Sequence, residues 1–141
     1  EAAARPDRVV LPHGVAVEVA SIEAQCALKL LAWRDRNADD TKDAVDFISL
    51  LSAASEGLYG DEAWSDGASL EANDHDIFLA GAYRLGSRGR ELVTQHRACA
   101  ITSILQDPIT HDRLPRHARA REAAELLDAY ARGFSAPLRD F

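Results

Sequence analysis

The stretch from Ser21 to Leu51 constrains this chain more than any other, because it reads as two helices joined by an acidic turn. On the first helix, Ile22, Cys26, Leu30 and Trp33 recur at helical spacing and form one apolar stripe that has to be buried. Gln25, Lys29, Ala32 and Arg36 fall on a separate row, at i, i+4, i+7 and i+11, so Lys29 lies on an edge that need not face bulk water. Asp39 and Asp40 lead into Thr41, a good N-cap for the second helix, whose first turns carry Lys42, Asp43 and Asp46. Asp43 and Asp46 are i, i+3 neighbours, with both carboxylates on one side. Burying the stripe against Val45, Phe47, Ile48 and Leu51, or against later helices, would fix the rotation of each helix and hence where Lys29 points.

Sixteen residues are Lys or Arg, yet only Lys29 and Lys42 are lysines, and both lie in this stretch. If the two helices pack as a hairpin, lysine and arginine heads converge with two carboxylates, which is the makeup of an anion site with an acidic rim. The same residues also have a plainer reading. Carboxylates in a first turn complement the helix dipole, and Lys42 with Asp46 is an ordinary i, i+4 pair.

The run A-L-K-L-L-A-W-R-D-R followed by K-D-A-V-D-F resembles the helical motif of bacterial nucleotidyltransferases of the AbiEii kind, known as toxins of type IV toxin–antitoxin systems. That family places a lysine in an L-K-L-x-A helix, then arginines, then K-D-x-x-D opening the next helix. Lys29, Arg34, Arg36, Lys42, Asp43 and Asp46 match the pattern position by position. D-I-F-L-A-G-A-Y-R-L-G, from Asp76 to Gly86, and L-L-D-A-Y-A-R-G-F, from Leu126 to Phe134, are similar to the family's later helices, so the resemblance runs from Val15 to Phe134. It implies transfer of a nucleotidyl group from a nucleoside triphosphate to a protein or RNA acceptor such as tRNA. Lys29, Asp43 and Asp46 would be catalytic, Arg34, Arg36 and Lys42 would bind nucleotide or acceptor, and a cognate antitoxin would be a partner.

The family also carries, ahead of this region, a Gly-Ser turn followed by Asp-x-Asp on a strand, which holds magnesium and the triphosphate. Here Gly86-Ser87 is followed by Arg88 to Gln106 without an Asp, and Asp74-His75-Asp76 has no such turn before it. The chain therefore resembles the carboxy-terminal half alone. Mg2+ and nucleoside triphosphate are expected only with the other half, no metal ligand is assigned here, and the isolated chain is expected to be inactive. The alternative is a non-enzymatic helical module that binds a partner protein and keeps the motif as a structural ion-pair network. Two His-Asp dipeptides, at His75 and His111, lack the further ligands that a metal phosphohydrolase site needs. Glu18 is read as a surface residue rather than a third catalytic carboxylate.

With 47% apolar residues, mostly Ala and Leu, and β-branched residues sparse after Ile109, the 141-residue chain is expected to fold as one mainly α domain. About five helices, spanning residues 21–141, would follow one or two short β-strands in residues 1–20, with residues 1–5 a lead-in. Val15, Val17 and Val19 alternate as a strand with one buried face, behind a turn at Pro12-His13-Gly14. A sheet this small leaves a free edge, which invites self-association or a partner. Residues 55–73 read as a loop anchored by Leu58, Tyr59 and Trp64. A third helix should end at Gly86, a fourth should run from Gly89 to Leu105 with Leu92 and Cys99 in the core, and a last helix should start at Pro115 and end at Gly133. Two distant cysteines and no long apolar run suggest a cytoplasmic protein without membrane spans. A net charge of −7 argues against wholesale nucleic-acid binding. From Arg84 to Arg121, however, eight arginines face three acids, a block able to steer an anionic partner.

Overall fold

The computed structural model describes residues 7–138. It is mainly helical. A two-stranded antiparallel hairpin, β1 (Asp7–Val10) and β2 (Ala16–Val19), precedes eight helices: α1 (Ile22–Arg36), α2 (Lys42–Ala53), α3 (Gly57–Trp64), α4 (Gly67–Ala72), α5 (Ile77–Leu92), α6 (Gln95–Gln106), α7 (Pro108–Ala118) and α8 (Ala123–Ser135). The expected class stands, with more helices than the sequence suggested. The lead-in read at residues 1–5 lies outside the described residues.

Each end of the α1–α2 unit has a local cause. Ser21 caps α1 by accepting from the Ala24 amide at 3.3 Å. Thr41 sits at the N-cap of α2 without a side-chain bond, and Asp40 takes the capping role, accepting the Lys42 amide at 2.8 Å. The stripe Ile22, Cys26, Leu30, Trp33 is buried as expected, and it joins Phe47, Ile48 and Leu51 of α2 in one core cluster. Val45 instead turns outward, 41% exposed.

Around that unit the core is closed by α5 and α8, which make the closest helix pair. Gly86 lies against the backbone of α8, where an added Cβ would overlap the Tyr130 carbonyl and stand 2.8 Å from the Phe134 amide nitrogen. Gly133 reciprocates, since a Cβ there would overlap the Tyr83 carbonyl of α5. The expectation that these glycines stop helices is thereby corrected. Both are interior to their helices, and they are glycine so that two backbones can meet. Beside this contact, the Tyr130 ring meets Phe47 edge-on at 5.1 Å and stacks on Phe134 at 6.2 Å.

Other boundaries move for equally local reasons. The expected loop over 55–73 is α3 and α4, with Asp66 capping α4 through the Ser69 amide at 3.1 Å. Ala63 at 0% and Leu70 at 8% exposure anchor it, while Leu58 at 80% and Trp64 at 59% stand in solvent. Thr94 caps α6, so that helix starts after Gly89, and Ala98 rather than Cys99 enters the core. Asp107-Pro108 does stop α6, and it also starts α7, with Asp107 accepting the Ile109 amide and Pro108 in the first turn. Pro115 lies inside α7, which ends at Arg119 in a left-handed conformation, φ 56°.

The hairpin contributes no residue to the buried cluster. Its register pairs Arg8 with Glu18 and Val9 with Val17, and Gly14, φ +80°, makes the turn that a side chain would strain. Val15 at 57% and Val19 at 38% exposure overturn the expected buried face. With a single partner strand and a groove toward α3, no second layer among the described residues covers it.

Gly86→Ala should destabilise the chain by about 1–3 kcal/mol or more in urea unfolding, because overpacking two touching backbones leaves no side chain free to yield. Gly67→Ala, whose Cβ would meet nothing within 4 Å, should be neutral or slightly stabilising. Equal cost for the two substitutions would contradict the glycine contact.

Candidate functional site

Burial of the α1 stripe turns Lys29 toward α2. Its Nζ donates to Asp46 Oδ2 at 2.7 Å and to Asp43 Oδ1 at 3.4 Å. Arg36, two turns along α1, grips Asp43 as a fork: Nε and Nη2 donate to Oδ2 at 3.1 and 2.8 Å, and Nη2 also reaches Oδ1 at 3.0 Å. Asp43 is 2% exposed and therefore a buried carboxylate whose oxygens are both occupied. The side chains of Lys29 and Asp46 are 34% and 33% exposed, and Arg36 is 59% exposed. Water thus reaches one side of the cluster while the other is sealed.

The outer side opens into a recess of about 310 Å³ lined by Gln25, Lys29, Asp46, Ser49 and Leu50. Four of the six residues singled out by the motif form the ion-pair cluster, Lys29 and Asp46 also lining the recess, and two stand apart. Lys42 is exposed and makes no ion pair among the described residues. Arg34 turns to Asp35 at 3.2 Å. The reason is angular: a residue next to Asp43, or two before Arg36, lies on a different helix face. The ordinary Lys42–Asp46 pair does not form either, because Asp46 is taken by Lys29.

The hydrogen bond to Asp46 raises the Lys29 pKa above its ordinary 10.5; burial opposes this, and the charges of Asp46 and Asp43 add to it. Lys29 is therefore a held, charged ammonium at neutral pH rather than a proton-transfer base. Asp43, whose carboxylate accepts from both Arg36 and Lys29, positions both. Both oxygens of Asp43 and one of Asp46 are committed to cations, which leaves Asp46 Oδ1 alone, too little to hold a magnesium ion, and among the described residues no group of three or more His, Cys, Asp and Glu is placed to hold a metal.

Two further networks carry no clear sequence signal. Arg84, its side chain 12% exposed, bridges Glu62 at 3.0 Å and Asp66 at 3.6 Å, and Arg88 reaches Glu23 of α1 at 3.3 Å. The Trp33 indole N–H donates to His117 Nδ1 at 3.1 Å across α1 and α7. Three members of the arginine block, Arg84, Arg88 and Arg116, are thus tied to acids of the chain itself. Of the His-Asp pairs, Asp76 caps α5, His111 Nε2 bonds the Leu105 carbonyl and Asp112 pairs with Arg116. Glu18 is exposed on β2, opposite Arg8. No helix among the described residues is long and apolar enough to cross a membrane.

Asp43→Ala should cost about 1–3 kcal/mol, since it strands two cations at a partly buried spot, whereas Asp46→Ala should cost about 1 kcal/mol or less. The Lys29 bonds contribute fully below its ordinary pKa of 10.5 and are lost as pH rises through the raised folded value. The stability gap between the wild type and Lys29→Met, read by denaturation, should therefore narrow above pH 10.5.

Set against known proteins, the chain matches no family model, no curated protein and no solved structure.

Proposed function

We propose that this chain is the helical part of a nucleotidyltransferase similar to the AbiEii kind, presenting Lys29 to a phosphate or to the acceptor. The observation that carries the reading is the setting of Lys29. It is held charged between two carboxylates on a separate helix, yet a third of its side chain faces an open recess. A cation meant only to tie two helices together has no need of an opening.

In the reaction class, an acceptor hydroxyl attacks the α-phosphorus of a nucleoside triphosphate, a new P–O bond forms and pyrophosphate leaves. Mg2+, held by the metal-binding half outside this chain, would neutralise the triphosphate. Within this chain, Lys29 would stabilise negative charge on a phosphate oxygen, and Asp46 would orient Lys29 or the acceptor hydroxyl. Asp43 and Arg36 would keep Lys29 at its angle. Lys42 and Arg34, exposed on neighbouring faces, would supply outer contacts to nucleotide or acceptor. The uncovered hairpin, with Val9, Val10 and Val15 exposed, would extend the sheet of the missing half or meet a partner such as an antitoxin.

One observation favours a second reading. Lys29, Arg36, Asp43 and Asp46 form a neutral cluster in which every charge is matched, as a purely structural network in a protein-binding module would be.

Lys29→Ala in the intact protein separates the two. On the enzyme reading it should abolish incorporation of labelled nucleotide while lowering stability by only about 0–1 kcal/mol, as for a partly exposed pair. Full activity, or unfolding, would reject the assignment. The 141-residue chain by itself should show no turnover, and the reading frame upstream of Glu1 should encode a Gly-Ser and Asp-x-Asp segment.

A further inference from the structure

A second cavity, of about 230 Å³, lies where the end of α1 meets the end of α6 and the start of α7. Its apolar lining is Trp33, Ile104 and Ile109, and its polar lining includes Arg34, Arg113 and Thr110. The Trp33 N–H is already given to His117, so the indole offers the cavity only carbon surface.

Thr110 is the informative residue. It is 3% exposed, and its hydroxyl has no hydrogen-bond partner among the described residues. The hydroxyl is nevertheless not sealed in the core, where among the described residues only the Tyr130 hydroxyl is both buried and unpartnered. A buried threonine that leaves its one polar group unmatched at a cavity wall supplies a donor and acceptor for something in the cavity.

The charges give the sign of that occupant. Arg113 has no ion-pair partner among the described residues, and Arg34 has only Asp35, in an exposed pair of neighbours at 3.2 Å that competes weakly. Asp107 is the one acid in the lining, and its carboxylate is engaged by the Ile109 amide at 2.9 Å. Two guanidinium groups, each suited to a planar oxyanion, thus outnumber one occupied carboxylate.

We propose that this cavity binds a small organic oxyanion, a carboxylate or phosphate monoester carried on a flat apolar group. The flat group would lie against Trp33 and Ile104, and the oxyanion would take Arg113, Arg34 and the Thr110 hydroxyl. The volume is below the roughly 300–1,000 Å³ usual for drug-sized ligands, which excludes a whole nucleoside triphosphate. The site shares no lining residue with the Lys29 recess, and Arg113 and Thr110 take no part in the proposed nucleotidyl transfer.

Trp33 is a built-in reporter, because Trp64 is the only other tryptophan and is exposed. In a Trp64→Phe chain, titration with phenyl phosphate or benzoate should change Trp33 fluorescence saturably, the stronger of the two identifying the preferred oxyanion. Arg113→Ala should raise Kd by about tenfold or more, as loss of a charge-assisted hydrogen bond does. Thr110→Val, which keeps the shape and removes the hydroxyl, should raise it by a smaller factor. Inorganic phosphate should bind more weakly than phenyl phosphate. No saturable change with either probe, or unchanged affinity in both Arg113→Ala and Thr110→Val, would overturn the site. Equal binding of inorganic phosphate would overturn the flat-group assignment.

Discussion

The close approach of α5 and α8, at Gly86 against Tyr130 and at Gly133 against Tyr83, sets the geometry on which everything else rests. Two helix backbones touch there without intervening side chains, so the bulk of Tyr130, Phe134 and Leu85 is displaced to the flanks of the contact. Those flanks are where α1 and α2 find their apolar partners. Phe47 meets the Tyr130 edge, and the stripe of α1 closes over the same cluster. A close-packed interior tolerates little displacement, so the rotation of α1 is fixed by this distant glycine pair. Lys29 inherits its direction from that rotation.

The cluster at Lys29 follows from the same logic at the polar edge of the core. Asp43 lies one residue before a core alanine, Ala44, and is carried under the surface by it. A lone carboxylate there would be costly, and the fork of Arg36 together with Lys29 removes the cost. Asp46, one turn on, emerges at the rim, so the same ammonium spans a sealed carboxylate and a wet one. This gradient of exposure, rather than charge alone, distinguishes Lys29 from Lys42.

Much of this was legible in the sequence because it is local. Periodicity and the Ser21 cap locate α1, the i, i+3 spacing puts Asp43 and Asp46 on one side, and Leu126, Leu127, Tyr130 and Phe134 do close the bundle. What misled was residue type without context. Glycine read as a stop at Gly86 and Gly133, because a helix approaching from far along the chain leaves no mark in the local pattern. The small residues of α3 and α4 read as loop, since Ala63 and Gly60 anchor by close approach rather than by size. Arg34 and Lys42 matched a motif by position, but motif positions say nothing of helix face once the partner helix has chosen one. The pairing of Trp33 with His117 and the lining of the second cavity join residues too distant for any spacing rule.

The engagement of Lys29 has a practical side. The chain has two lysines and two cysteines, and in each pair one member is engaged by the fold, Lys29 in ion pairs with its carboxylates and Cys26 by complete burial. That leaves Lys42 on α2 and Cys99 on α6 as accessible side chains of different chemistry. A thiol-directed dye can therefore be placed on Cys99 of α6, and an amine-directed dye on Lys42 of α2 in a Lys29→Met background. Energy transfer between them would follow the separation of α2 and α6 as the chain unfolds.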